Sequence, residues 1–146
     1  MAVKARATAA PPNAGIAQHT ERVGTMQDQG YKILTTQVSQ RLAELRGSTP
    51  GVMKAFGELG RAATAPGALD AKTKELIALA LGVAARCDPC IGFHTQALAK
   101  LGATRQEVDE TLGVATYMGG GPSLMYAASA VAAFDEAVAA RASAAA

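Results

Sequence analysis

The sequence predicts an all-α protein, a compact bundle of about six helices. Over most of the chain, apolar residues recur three or four positions apart, as they do along one face of a helix. No segment shows the period-two alternation of apolar and polar residues that a half-buried strand requires. Aromatic residues make up only 4% of the 146 residues and Trp is absent, so small aliphatic side chains must form the core. Such side chains suit closely packed helices.

The N-terminal part divides into a tail and a first helix. Residues 1–20 are rich in Ala and Pro and have no apolar face to bury, so we expect a disordered tail there. A single globular unit is expected over residues 21–140. Its first part, residues 21–47, has the spacing of an amphipathic helix with Gly30 as a weak point or break. The apolar face of this helix, which needs a partner, consists of Met26, Leu34, Val38, Leu42 and Leu45.

Start and stop signals divide residues 48–140 into the remaining helices. Thr49 is expected as an N-cap and Pro50 as the first helical residue of a helix that ends near residue 63. This helix should bury Val52, Met53, Phe56 and Leu59. Asp70 is a suitable cap for the next helix. The later signals are Gly102 as a helix end, Thr104 with Glu107 as a capping box, Gly119–Gly121 as a break, and Pro122 as the start of a last helix to about residue 140.

Composition argues against several classes of function. The net charge is only +2, and no basic cluster is interleaved with aromatic residues, so a nucleic-acid partner is not expected. The longest apolar stretch, residues 76–85, is far shorter than the roughly 20 residues of a membrane helix. No N-terminal apolar segment resembles a secretory signal. We therefore expect a cytoplasmic protein without a membrane partner, in which a C-x-x-C pair serves catalysis or metal binding.

The only two cysteines, Cys87 and Cys90, lie close before one of the only two histidines, His94. With Asp88 as N-cap and Pro89 as the first helical residue, Cys90 falls in the first turn of a helix. Unpaired N–H groups and the helix dipole favour a thiolate there, and the thiolate is the nucleophile. Cys87 can close a disulfide onto it. His94 shares the helix face of Cys90, so its imidazole can accept the thiol proton.

Glu75 is the next candidate, although spacing alone does not decide its role. It precedes Cys87 by about 18 Å of straight helix, so it reaches the site only if its helix ends early, near Gly82, or crosses steeply. Otherwise it is a solvated residue near a helix end. Zinc binding is a competing use of these residues, because structural zinc takes four ligands and Glu75 would be the fourth beside Cys87, Cys90 and His94.

The pattern Glu-x11-Cys-x2-Cys-x3-His resembles the motif of the alkylhydroperoxidase D (AhpD)-like proteins, within the carboxymuconolactone decarboxylase family. The similarity extends to the flanking segments KELIALALGV, HTQALAKLGATRQEV and ETLGVATYMGGGP. It covers roughly residues 50–135, and the four-point motif is far more specific than C-x-x-C alone. The resemblance therefore implies an AhpD-like all-α domain over residues 48–140.

The resemblance also implies a function, a thiol-dependent peroxidase of the alkyl hydroperoxide reductase or peroxiredoxin type. Cys90 would be the peroxidatic cysteine and Cys87 the resolving one, with Glu75 and His94 as the proton relay that activates Cys90. The expected partners are a hydroperoxide and a dithiol reductant of the lipoyl or thioredoxin type. No organic cofactor or metal is implied. The family assembles as trimers or hexamers, so a homo-oligomer is expected.

One position departs from the family pattern. The best-known peroxidase members carry a second histidine between the two cysteines, and this chain has Pro89, which cannot shuttle protons. Whether this lowers or abolishes peroxidase activity stays open. The alternative function is a redox- or zinc-responsive thiol module, or a disulfide oxidoreductase without peroxidase turnover. Lactone decarboxylation fits poorly, because that branch of the family lacks the cysteine pair.

Overall fold

The computed structural model describes residues 30–145, and this part of the chain is all-helical. The predicted all-α class is confirmed. The helices are α1 (Tyr31–Ser48), α2 (Pro50–Thr64), α3 (Ala71–Ala84), α4 (Asp88–Lys100) and α5 (Arg105–Ala145). The expected tail over residues 1–20, and the part of the first predicted helix that precedes Gly30, lie outside the described residues.

The count of five helices differs from the predicted six at one point. The predicted break at residues 119–121 is a kink inside α5, where Gly120 has a non-helical backbone (φ 67°, ψ −158°). Glycine accepts this positive φ without a Cβ clash, so the chain bends and then resumes helical geometry through Pro122. The last two predicted helices therefore continue as one bent element.

Local capping signals account for several helix starts. The Asp70 side chain accepts a hydrogen bond from the Thr73 N–H at 2.7 Å, as an N-cap does. Thr104 and Glu107 form the predicted capping box: the Thr104 N–H donates to Glu107 Oε2 at 2.7 Å, and the Glu107 N–H donates to Thr104 Oγ1 at 3.2 Å. Thr49 occupies the N-cap position of α2, but its hydroxyl donates to the Leu45 carbonyl instead of capping.

The core lies where α3, α4 and α5 pack together, with the N-terminal half of α1 lying against α4 and α5. Along α1, Tyr31 and Leu34 are buried and Val38 packs against the core, whereas Leu42 and Leu45 are exposed. No helix within residues 30–145 has both the length and the apolar character to cross a bilayer. The largest completely buried apolar side chains are Leu79, Val83, Ile91, Leu98 and Val108.

The predicted burial of the α2 apolar face is wrong for the single chain. Val52, Phe56 and Leu59 are 68%, 70% and 64% exposed, and Met53 is half-buried. The physical reason is position: among the described helices, α2 contacts only its neighbours α1 and α3, at the edge of the bundle. The amphipathic spacing was the basis of the prediction, but spacing does not show what a face packs against, and no part of residues 30–145 covers this one. Further exposed apolar side chains are Leu81, Tyr117, Met118, Leu124 and Met125.

Helices α3 and α4 end with the same pair of backbone hydrogen bonds, but the residue that adopts a positive φ differs between the two ends. At the end of α3, the N–H groups of Arg86 and Cys87 bond to the carbonyls of Val83 and Gly82, at 3.1 and 3.0 Å. This double closure places one residue in the left-handed region, which usually selects glycine. After α4 that residue is Gly102 (φ 71°), but after α3 it is Arg86 (φ 57°), in which the Cβ crowds the backbone.

Candidate functional site

The cysteine pair lies at the first turn of α4, as predicted, and Cys87 and Cys90 are joined by a disulfide. Their Cα atoms are 5.2 Å apart. The predicted cap is wrong by one residue. Cys87, in extended backbone, is the N-cap, and its sulfur accepts a hydrogen bond from the Cys90 N–H at 3.3 Å. Asp88 is the first helical residue and Pro89 the second, because the first backbone hydrogen bond of the helix runs from the Ile91 N–H to the Cys87 carbonyl at 3.0 Å.

Glu75 and His94 meet directly. The distance between Glu75 Oε2 and His94 Nδ1 is 2.7 Å, and the two side chains are 13% and 31% exposed. A carboxylate bound to Nδ1 fixes the orientation of the imidazole and leaves Nε2 as the nitrogen that exchanges a proton. The structure therefore brings all four predicted site residues to one stretch of the α3–α4 pair.

The close packing of α3 on α4 explains how Glu75 reaches His94. Helix α3 continues to Ala84, so it does not end early. Gly82 lies against the start of α4, where an added Cβ would come 3.3 Å from the Cys90 Cβ. From this contact, Glu75 is about 10 Å back along α3 and His94 about 6 Å along α4. The remaining offset of about 4 Å is within the reach of two long side chains.

Tyr31 is a neighbour of the site that sequence reasoning missed. Its hydroxyl donates to Asp88 Oδ1 at 3.1 Å, although the two residues are 57 positions apart. Burial raises the pKa of Tyr31 to about 12, and the nearby Asp88 charge contributes to this increase. The only sequence signal was the break at Gly30, which puts Tyr31 at the start of its helix but does not say what it contacts.

Residues 30–145 contain no preformed zinc site, because no three His, Cys, Asp or Glu side chains there are arranged to hold a metal ion. Both cysteine sulfurs are engaged in the disulfide in this form. The other histidine, His19, lies outside the described residues. Zinc binding by the reduced chain therefore remains a hypothesis.

Over the described residues, fold and site together define a small all-helical protein with a disulfide at a helix start and a partly buried Glu–His pair on the same two helices. The sequence profile of the carboxymuconolactone decarboxylase family matches residues 50–134, and the chain belongs to this family. The matched range contains the disulfide, Glu75 and His94, whereas α1 lies outside it.

Solved structures agree with this assignment. The chain is similar to a carboxymuconolactone decarboxylase family protein from Legionella pneumophila, with 56% identity and a TM-score of 0.73 over 74% of this chain and 96% of that one. A family protein from Thermotoga maritima, described with a suggested involvement in the antioxidative response, is 32% identical with a TM-score of 0.64, over 70% of this chain and 87% of that one. A protein of Cupriavidus necator is 42% identical over 71% of this chain and 92% of its own length.

Proposed function

We propose that this protein is a thiol-dependent peroxidase that reduces hydroperoxides through a Cys87–Cys90 disulfide cycle. The observation that carries the proposal is the placement of this disulfide at the start of α4, with His94 held by Glu75 one helical turn beyond Cys90. A redox pair, a helix N-terminus that favours a thiolate and an oriented proton acceptor are the components that such a cycle needs.

The cycle starts from the dithiol form. The Cys90 thiolate attacks the terminal oxygen of the hydroperoxide, so that an S–O bond forms, the O–O bond breaks and the alkoxide leaves as the alcohol after protonation. Cys90 is then a sulfenic acid. The Cys87 thiol attacks the Cys90 sulfur and water leaves, which forms the disulfide. A dithiol of the lipoyl or thioredoxin type reduces this bond and is itself oxidised to a disulfide.

In the proposed first step, His94 transfers the proton and Glu75 stabilises its charged form. The neutral imidazole of His94 accepts the thiol proton of Cys90, directly or through one water, and returns it to the leaving alkoxide. Glu75 stabilises the imidazolium that exists in between, because its carboxylate lies 2.7 Å from Nδ1. Neither role requires an organic cofactor or a metal.

Two considerations bear on the choice of reaction. The suggested antioxidative role of the Thermotoga maritima relative supports peroxide chemistry for this chain. Pro89 stands where the best-known peroxidase members have a histidine, so the site has one proton carrier fewer, and a disulfide oxidoreductase without peroxidase turnover is the alternative function. Measuring peroxide consumption with a dithiol separates the two functions. The cytoplasm, where dithiol reductants keep thiols reduced, is the proposed compartment.

The direct test of the cycle is a mass measurement. One equivalent of hydroperoxide added to the fully reduced protein should remove two hydrogen atoms and both free thiols, through an intramolecular disulfide. Intact mass and a thiol count before and after treatment report this, with the Cys87→Ser/Cys90→Ser double variant as the unreactive control. Two thiols that survive oxidation, or chains linked only to one another, would contradict the proposal.

We also propose that the protein is a homo-oligomer, a trimer or hexamer, in which the exposed apolar face of α2 is buried between subunits. Val52, Phe56 and Leu59 form an apolar stripe that water would otherwise cover. Light scattering at micromolar concentration should therefore give a multiple of 14.8 kDa.

A substitution on this face tests the interface. Phe56→Lys should weaken association by about 3 kcal/mol or more, about a hundredfold, because a large side chain is lost and a charge is placed in the interface. Glu58→Lys introduces the same residue on the opposite face of α2 and should leave the assembly intact. A wild-type protein that has the mass of a single chain would refute the oligomer.

A further inference from the structure

Helix α1 lies outside the matched family range, yet its first turn is fixed to the redox helix. The Tyr31 hydroxyl donates to Asp88, the residue directly after Cys87. One turn further along α4 is Gly92, where an added Cβ would lie 3.1 Å from Tyr31 Cδ1 and 2.6 Å from Thr35 Cγ2. The absence of a side chain at Gly92 thus lets α1 approach α4 closely enough for the hydrogen bond to form.

A second contact holds the start of α1 from the other side. The Glu136 carboxylate of α5 accepts hydrogen bonds from the backbone N–H groups of Tyr31 and Lys32, at 2.8 and 2.9 Å. This side chain satisfies N–H groups that a helix start otherwise leaves unpaired. Tyr31 is only 8% exposed, so its ring has little freedom to move. Its hydroxyl is therefore a fixed donor toward Asp88.

The negative charge of Asp88 affects the free energy of the reduced cysteine pair more than that of the disulfide. The disulfide carries no charge, whereas in the proposed cycle the reduced pair carries a thiolate at Cys90, in the same first turn of α4 as Asp88 and two residues from it. Like charges repel, so Asp88 disfavours the thiolate relative to the disulfide. A hydrogen bond donated to the carboxylate draws part of its charge toward α1 and holds it there, which reduces this repulsion.

We propose that Tyr31 is a positioning residue for the cysteine pair: its hydroxyl holds the Asp88 carboxylate and thereby favours the reduced, thiolate form. The inference rests on the proposed function, because it assigns Tyr31 a part in the same thiol cycle. It extends the site beyond the segment that the family shares, to a helix that precedes it.

The ionisation of Tyr31 itself does not interfere. Because burial and the Asp88 charge raise its pKa to about 12, the phenol remains a donor throughout the range in which thiols titrate. The other titratable or charged groups around this turn are the Glu75–His94 pair on the α3 side, Arg86 before Cys87, and Tyr126 of α5. None of them is altered when Tyr31 is changed to Phe, which removes only one oxygen atom.

The test is a double-mutant cycle on Tyr31 and Asp88, measured in the purified full chain. Two quantities are determined for each protein: the thiol pKa, from thiolate absorbance against pH, and the dithiol–disulfide equilibrium in a glutathione or dithiothreitol buffer. Tyr31→Phe should raise the thiol pKa by about half a unit, a threefold loss of thiolate below the pKa. Above the pKa, where the reduced pair carries the thiolate, it should also shift the equilibrium about threefold toward the disulfide, equivalent to about 14 mV.

The cycle distinguishes positioning from a general structural effect. Asp88→Asn should shift both quantities in the opposite direction, and Tyr31→Phe should have no further effect in the Asp88→Asn background. Tyr117→Phe, at a tyrosine that is 85% exposed, is the matched control. The inference is wrong if Tyr31→Phe changes neither quantity beyond this control, or changes both equally with and without Asp88. Both measurements are independent of peroxide turnover, so failure of the proposed peroxidase activity would be seen separately.

Discussion

Replacing Cys90 with Ser is expected to abolish hydroperoxide consumption, down to the rate seen without protein. The hydroxyl of serine does not ionise near neutral pH, so the variant has no thiolate to attack the O–O bond. The helix start and the Glu75–His94 pair remain in place, because Cys90 and Ser differ by a single atom. Peroxide loss measured in the presence of a dithiol, compared with the wild-type protein, gives the result.

The matched variant Cys87→Ser separates the two cysteines. It should still allow one attack, leaving Cys90 as a sulfenic acid that a dimedone-type reagent traps, but it should not turn over, because no thiol is present to resolve it. The reverse pattern, with activity lost at Cys87 and a trapped sulfenic acid there, would mean that the nucleophile is the first cysteine. This is a real alternative, since in many C-x-x-C proteins the first cysteine is the more exposed one.

The second large effect is expected at the proton relay. Glu75→Gln and His94→Gln should each lower kcat/KM for the hydroperoxide by about a hundredfold, the contribution of a positioned general base. Because the two side chains act as one unit through their 2.7 Å contact, the double variant should be only slightly slower than either single variant. Steady-state peroxide consumption with a dithiol measures all three variants.

Glu110→Gln, the same change at an exposed position of α5, serves as the control for this series. Losses that multiply in the double variant would show that Glu75 and His94 act independently. Wild-type rates in both single variants would remove the relay from the mechanism and leave the helix start as the only source of thiolate stabilisation.

Local chemistry made much of the fold predictable. Asp70 and the Thr104–Glu107 pair are caps whose partners lie three residues away, so sequence spacing contains the whole interaction. The same holds for Gly102, which ends α4 at a positive φ. The C-x-x-C pair also needed only local geometry, because a disulfide between residues three apart forms within one turn.

Interactions between distant segments were not predictable in this way. Spacing did not decide whether Glu75 reached His94; the resemblance favoured it, and the close approach at Gly82 explains it. The contact from Tyr31 to Asp88 links residues that are 57 positions apart, so no local pattern predicts it. The α2 stripe was read correctly as amphipathic, but periodicity cannot tell whether a face meets its own core or another chain.

Arg86 has a consequence for the dynamics of the site. The connection from α3 to α4 holds an arginine where the equivalent connection after α4 holds a glycine, which costs about 1–2 kcal/mol of native-state free energy. The strained connection at Arg86 needs less free energy to unfold locally than the connection at Gly102. The residues just before Cys87 should therefore unfold locally more often than those around Gly102. In the proposed cycle a reductant must reach a half-buried disulfide, and frequent opening of this short segment would give it access while α3 and α4 remain folded.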